Sequence, residues 1–254
     1  MSVLDAIILG IVEGLTEFLP ISSTGHLILA SSLLGIKQTP FTKSFEIIIQ
    51  LGAILSVLFL YFNRLKRDFE LWKRIIWAFI PTGVVGFVLY KLIKQYLFNP
   101  HIVVYSLTIG GIIIIAVEFL FEKIKPQKQI NQLNLKQSVI IGLFQSLAVV
   151  PGTSRSASSI IGAMAVGLTR KEAVEFSFLL AIPTMFAATG YDILKSGIAI
   201  SSHQWHLIAI GFIVSFFSAL VAVKGFIGFV SKYTLKSFGV YRIIIGIIFL
   251  FVLK

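Results

Sequence analysis

The chain predicts an all-α polytopic membrane protein: six transmembrane helices plus two re-entrant helical hairpins, arranged as an inverted-topology repeat. Three observations point there. Of 254 residues, 57% are hydrophobic and the mean hydropathy is +0.94, more than a soluble core of this size requires. Six apolar runs are each long enough to cross a hydrocarbon layer of about 30 Å as a helix. Two further apolar stretches are interrupted at their centres by Pro, Gly and hydroxyl residues. Irregular backbone at membrane depth is tolerated only inside protein or beside a wet cavity, so both interruptions should point inward as hairpin tips.

In chain order, the hairpin over 5–34 breaks at Pro20 and the run Ser22-Ser23-Thr24-Gly25. Crossings follow near Phe45 to Phe62, Ile75 to Leu92 and Ile102 to Phe121. Residues 122–132 are polar and basic and read as a cytoplasmic linker. The hairpin over 136–168 breaks at Pro151-Gly152-Thr153-Ser154-Arg155-Ser156, and crossings follow near Lys171 to Leu194, Trp205 to Val223 and Tyr233 to Leu253. A single membrane domain, 1–254, thus holds repeats at 1–121 and 133–254. Gly10-Ile11-Val12-Glu13-Gly14-Leu15 is echoed by Gly142-Leu143-Phe144-Gln145-Ser146-Leu147, Pro20-Ile21-Ser22-Ser23 by Pro151-Gly152-Thr153-Ser154, and Phe45 and Phe176 open similar helices. A hairpin plus three crossings is an odd set, so the second copy inserts upside down relative to the first.

The net charge of +11 does not indicate nucleic acid, because the Lys and Arg residues fall in short loops between apolar runs. With the loop Asn63 to Arg74 inside, Arg64, Lys66, Arg67, Lys73 and Arg74 share the cytoplasmic face with Lys123, Lys125, Lys128, Lys136, Arg170, Lys171, Lys224, Lys232 and Lys236. Only Lys37, Lys43, Lys91, Lys94, Lys195 and Lys254 remain outside. The bias puts both termini outside, opens the first hairpin outward and opens the second inward. Met1 to Asp5 leads directly into the first apolar helix, so the N-terminus reads as retained. The absence of cysteine excludes disulfides, thiolate nucleophiles and Cys-ligated metals.

Ionisable groups in such segments are expensive, roughly 2.5 to 3.5 kcal/mol each on insertion scales, and mark function by default. Glu13 and Glu17 lie four apart on one helix face and suit acid, base or cation-ligand roles, unless both sit hydrated at the hairpin mouth. Ser22, Ser23, Thr24 and Gly25 offer hydroxyls and amides at a helix start, an anion site in form, with plain N-capping as the bland alternative. His26 follows within a turn and suits proton transfer. Thr153, Ser154 and Arg155 repeat the anion logic with a fork of guanidinium donors; snorkelling to a headgroup fits Arg155 poorly at that depth. His101, His203 and His206 read as interfacial. Glu118, Glu175 and Arg242 read as helix-end groups met by solvent or pairing, and Glu46 as a neighbour of the first hairpin's mouth.

The run Glu13-Gly14-Leu15-Thr16-Glu17-Phe18-Leu19-Pro20-Ile21-Ser22-Ser23-Thr24-Gly25-His26 is joined by Phe45-Glu46-Ile47-Ile48-Ile49-Gln50-Leu51-Gly52-Ala53 and by Pro151 to Ser156. Together these resemble the undecaprenyl pyrophosphate phosphatase family of the bacitracin-resistance type, across nearly the whole chain. Ala157 departs from the family pattern, in which the arginine motif usually ends in Gly. The resemblance implies hydrolysis of a polyprenyl diphosphate lipid, undecaprenyl diphosphate, to the monophosphate and inorganic phosphate. It places the activity on the outer face of a bacterial inner membrane, where the carrier lipid for cell-wall polymers is recycled. It assigns Glu13 and Glu17 to a paired acidic motif, Ser23 and His26 to nucleophile and general acid or base, and Arg155 to phosphate binding. Attack by Ser23, His26 or water stays open. The two glutamates also suit a divalent cation such as Mg²⁺ or Ca²⁺; no organic cofactor is implied, and a homodimer is left open. The competing class is a polyprenyl-phosphate flippase or other secondary transporter, since inverted repeats with broken helices also build carriers.

Overall fold

The computed structural model describes residues 1–92, 100–124, 126–196 and 201–252. The first broken stretch forms two short helices, α1 (Val3–Thr16) and α2 (Ser23–Leu33), followed by α3 (Pro40–Arg67), α4 (Phe69–Leu92) and α5 (Pro100–Ile124). The second forms α6 (Leu135–Ser146) and α7 (Arg155–Ala165), linked through a 3₁₀ turn at Leu147–Val149, before α8 (Arg170–Ser196), α9 (Ser202–Val230) and α10 (Lys236–Val252). Among the described residues, the strand-like pairing is a single parallel bridge between Lys128 and Leu168.

Local sequence explains the boundaries. Ser2 and Asp5 form a reciprocal capping box at α1, as do Asn134 and Gln137 at α6 and Ser201 and Gln204 at α9. Thr39 caps α3 with Pro40 in its first turn, where a missing N–H costs nothing. The last turn of α3 carries Arg64, Lys66 and Arg67, which suit the negative end of a helix dipole. The crossings therefore run beyond the apolar limits expected from sequence: polar caps and basic ends are still helical although they are no longer hydrophobic.

Among the described residues, five helices are long and apolar enough to span a bilayer, at Pro40–Arg67, Phe69–Leu89, His101–Ile124, Arg170–Lys195 and Gln204–Val230, so the chain is a multi-pass membrane protein. The sixth expected crossing corresponds to α10, which has 17 described residues; Leu253, its expected end, lies outside the described residues. Burial is inverted relative to a soluble fold. Phe59, Phe87, Val88, Phe217, Val221 and Phe251 face outward, while Glu13, Gln145 and Arg242 are fully enclosed.

The helices pair in exchanged fashion. α1 lies on α9 and α6 on α4; α3 packs on α9 and α8 on α4; α3 meets α8, and α5 meets α10. Close approach explains the glycines at two of these contacts. A methyl group at Gly10 would collide with the carbonyl of Gly211 on α9, and one at Gly142 with the carbonyl of Ala78 on α4. Without a hydrophobic drive between helices in lipid, such small-residue contacts supply the dispersion energy of association.

One end of the bundle is laced by charge. Glu118 on α5 accepts from Arg170 Nε at 2.9 Å and Nη2 at 2.6 Å, and from the Leu235 N–H at 2.9 Å. Arg64 reaches Glu175 at 3.1 Å and Lys236 reaches Glu122 at 2.8 Å. Glu118 and Glu175 are thus paired, as their sequence positions suggest. The expected linker is clipped here, with Lys128 N–H donating to the Gly167 carbonyl at 2.9 Å.

Candidate active site

Both helix breaks turn on the same backbone device. Ser22, before α2, has φ 69° and Ser154, before α7, has φ 76°, a region that residues with a Cβ rarely occupy. Gly152 also has positive φ (90°), and a Cβ there would strike the carbonyl of Val103 on α5. The Ser154 hydroxyl caps its helix by accepting from the Ala157 N–H at 3.2 Å. Ser22 makes no side-chain cap, so plain N-capping describes the second break and not the first. Ala157, where the resembled family carries Gly, is buried without disturbing that cap.

These breaks bring the two hairpins together. Glu17, the first residue beyond α1, accepts from Ser23 Oγ at 2.6 Å through Oε2 and from Arg155 Nη2 at 2.8 Å through Oε1. Arg155 opens α7, where the helix dipole disfavours a cation, and the Glu17 carboxylate offsets this. Its other arm, Nη1, donates to the Ser177 carbonyl at 3.0 Å. The Arg155 Nε lacks a partner although it is buried. Ser156 Oγ donates to the Phe18 carbonyl at 2.7 Å, and Phe18 packs edge-on against Phe178 with centroids 5.2 Å apart. The backbone that presents Glu17 is therefore anchored from α7 and α8.

One turn before Glu17, Glu13 is completely buried, and neither carboxylate oxygen has a hydrogen-bond partner. Its second-half counterpart by sequence, Gln145, is equally buried but donates to Thr82 Oγ1 at 3.0 Å and Thr184 Oγ1 at 3.1 Å. The hydrated-mouth alternative for Glu13 and Glu17 does not fit, since they are 0% and 6% exposed. Gly25 is buried beneath Leu107 of α5, and Thr24 and Thr153 are partly buried. Glu46 accepts from Ser31 at 2.9 Å and Gln38 at 3.1 Å.

His26 lies one turn into α2. Its Nδ1 is 2.9 Å from the Ser22 carbonyl and its Nε2 is 2.7 Å from the Tyr241 hydroxyl on α10. His206 is exposed and bonds locally, its Nδ1 2.8 Å from the Ser202 carbonyl; the His203 side chain lies outside the described residues.

Arg242 corrects the expectation of a solvated helix-end group. It is 0% exposed and donates to five backbone carbonyls: Leu107 at 3.2 Å, Pro20 at 3.1 Å, Thr153 at 3.0 Å, Ser106 at 3.0 Å and Gly152 at 2.9 Å. Both breaks thus hang on one guanidinium. Counting residues along an apolar run places Arg242 near an end, but α10 packs lengthwise on α5 and carries the side chain inward. A charge within an otherwise apolar helix was the available signal. Tyr241 and Ser177 had none, because an aromatic or a serine in an apolar run is ordinary.

Chemically, the cluster holds a hydroxyl on a carboxylate, a guanidinium with an unspent donor, and a second carboxylate without partners. The Ser23–Glu17 contact has the distance expected of a nucleophile and its base. Among the described residues no three His, Cys, Asp or Glu side chains are grouped to hold a metal. The unpartnered Glu13 carboxylate nevertheless suits a hard cation that takes its other ligands from phosphate and water, as Mg²⁺ commonly does.

Comparison with known proteins matches residues 6–248 to the family described as bacitracin resistance protein BacA. A relative named undecaprenyl-diphosphatase from Aquifex aeolicus is 59% identical over 96% of both chains. Relatives of the same name from Persephonella marina and Wolinella succinogenes are 56% and 54% identical, the latter over 100% of this chain and 99% of its own. Similarity of that depth along the full length makes this chain a member of the bacitracin resistance protein BacA family.

Proposed function

We propose that the chain hydrolyses undecaprenyl diphosphate to undecaprenyl phosphate and inorganic phosphate, with its site open to the extracytoplasmic side. The observation that carries this reading is the Arg155–Glu17–Ser23 chain of hydrogen bonds, 2.8 and 2.6 Å long, formed between the two helix breaks. The relatives' shared name supports the substrate. In this reading Arg155 and the α2 amides hold the terminal phosphoryl oxygens, where preorganised donors stabilise developing charge. Ser23 Oγ attacks the terminal phosphorus as its proton passes to Glu17. The bond from phosphorus to the bridging oxygen breaks, and that oxygen leaves on the lipid monophosphate. Water then attacks the phosphoserine, giving its proton to His26; the Ser23 oxygen leaves and recovers a proton from Glu17. A divalent cation held by Glu13 would neutralise charge on the diphosphate.

The architecture is read as six crossings, with α10 the last, and two re-entrant hairpins in an inverted repeat. The exchanged pairings α1 with α9 and α6 with α4, and the matched φ at Ser22 and Ser154, support it. The gathering of Arg64, Arg170 and Lys236 at one end supports a cytoplasmic assignment of that end. The same exchange is also how carriers are built. A carrier requires no hydroxyl set on a carboxylate, which favours the hydrolase.

The test is phosphate release from undecaprenyl diphosphate by purified protein in detergent, where no second compartment exists, with and without chelator. Wild type should release phosphate, and Ser23→Ala should lose it. Binding without turnover by wild type would return the chain to the carrier class.

A further inference from the structure

The Ser22 carbonyl can only accept a hydrogen bond, so the His26 Nδ1 that lies 2.9 Å from it carries a proton. In the neutral ring Nε2 then holds the lone pair, and the Tyr241 hydroxyl 2.7 Å away is the group that donates to it. The two rings lie within 8° of parallel with centroids 5.6 Å apart, so the tyrosine also fixes the imidazole plane. A tyrosyl hydroxyl is an unusual choice of partner in one respect. A carboxylate would favour the charged imidazole and an N–H donor would favour the neutral one, whereas an O–H that rotates donates to the lone pair or accepts from N–H equally well.

From these contacts we propose that Tyr241 is a positioning residue for His26, holding the imidazole plane while the Ser22 carbonyl sets the Nδ1–H tautomer, so that Nε2 exchanges the proton of the reaction. This rests on the reading of His26 as the acid or base of the hydrolysis. Tyr241 belongs to α10, the last helix of the second half, and Arg242 beside it anchors both breaks. The hydroxyl is therefore placed against His26 by the same helix that sets the backbone carrying Ser22 and Ser23. Substrate oxygen or water arriving at His26 would meet an imidazole already turned with Nε2 available, once the tyrosyl O–H swings away. Nδ1 stays committed to the Ser22 carbonyl throughout.

Tyr241→Phe keeps the ring and deletes only the hydroxyl. Purified full-length wild type and variant, labelled with ¹⁵N-histidine in detergent, are compared by imidazole NMR at a pH where the ring is neutral, with His26→Gln identifying the resonance among four histidines. The wild-type signal should show Nδ1 protonated and Nε2 unprotonated but hydrogen-bonded, and the variant should keep that tautomer with the Nε2 resonance shifted by loss of the tyrosyl hydrogen bond. Phosphate release should lose kcat on the order of tenfold, the scale of losing a partner that orients a histidine, with KM near the wild-type value. An unchanged spectrum, or an unchanged kcat beside an altered spectrum, would overturn the role of Tyr241. The two arms separate two failures. A wild type that releases no phosphate would defeat the hydrolase itself, whereas the NMR comparison judges the Tyr241–His26 coupling without any turnover.

Discussion

Ser22 and Ser154 stand at matching points of the two halves: each is the residue before a short helix, and their φ values are 69° and 76°. Their side chains diverge, since Ser154 caps α7 and Ser22 caps nothing. Glycine tolerates positive φ without a Cβ clash, so Ser22→Gly should raise the apparent melting temperature, by the equivalent of about 1 kcal/mol. Ser154→Gly gains the same relief but gives up the capping hydroxyl, a loss of about 0.3 kcal/mol when glycine takes the N-cap, and should raise the melting temperature by less. Thermal unfolding of both variants in one detergent makes the comparison; equal shifts would remove the asymmetry between the breaks.

Arg155 spends its two terminal nitrogens in different directions, on Glu17 and on the Ser177 carbonyl. A lysine keeps the charge but not the fork. Arg155→Lys should reduce kcat/KM for phosphate release by about 100-fold, the scale of removing one transition-state donor. Turnover close to wild type would take Arg155 out of phosphate binding.

Arg242→Met strips donors from five buried carbonyls, including those of Pro20, Gly152 and Thr153. Each group left unsatisfied costs about 1 to 3 kcal/mol, so the variant should unfold at much lower temperature or fail to accumulate. Gly110→Ala is the milder probe, because a methyl there would press on the Arg242 guanidinium. It should fold and lose activity through a shifted clamp. An active and stable Gly110→Ala would show that the guanidinium can move without disturbing the breaks.

Glu13 and Gln145 should respond in opposite senses to exchange of acid and amide. Glu13→Gln should keep or raise stability while cutting phosphate release, because a buried carboxylate without partners serves chemistry and not packing. Gln145→Glu should destabilise by about 2 kcal/mol or more, since a carboxylate cannot donate to Thr82 and Thr184. Melting curves and phosphate release on both variants read the contrast directly. A stability loss in Glu13→Gln would make Glu13 a structural residue.

What the sequence by itself determined follows from costs that do not depend on neighbours. Hydropathy and run length made the chain a multi-pass helical membrane protein. Pro and Gly with clustered hydroxyls located both breaks to within a few residues, because helix interruption is a local property. The price of charge at depth singled out Glu13, Glu17 and Arg155. Which groups touch was decided only by tertiary structure. Arg155 finds Glu17 from 138 positions away, and Arg242 reaches Pro20 from 222. Such contacts depend on how α10 lies against α5 and how α7 meets the end of α1, and no local pattern encodes a packing angle. Arg242 looked like a helix-end cation and Tyr241 like any aromatic in an apolar run until the fold enclosed the one and set the other against His26.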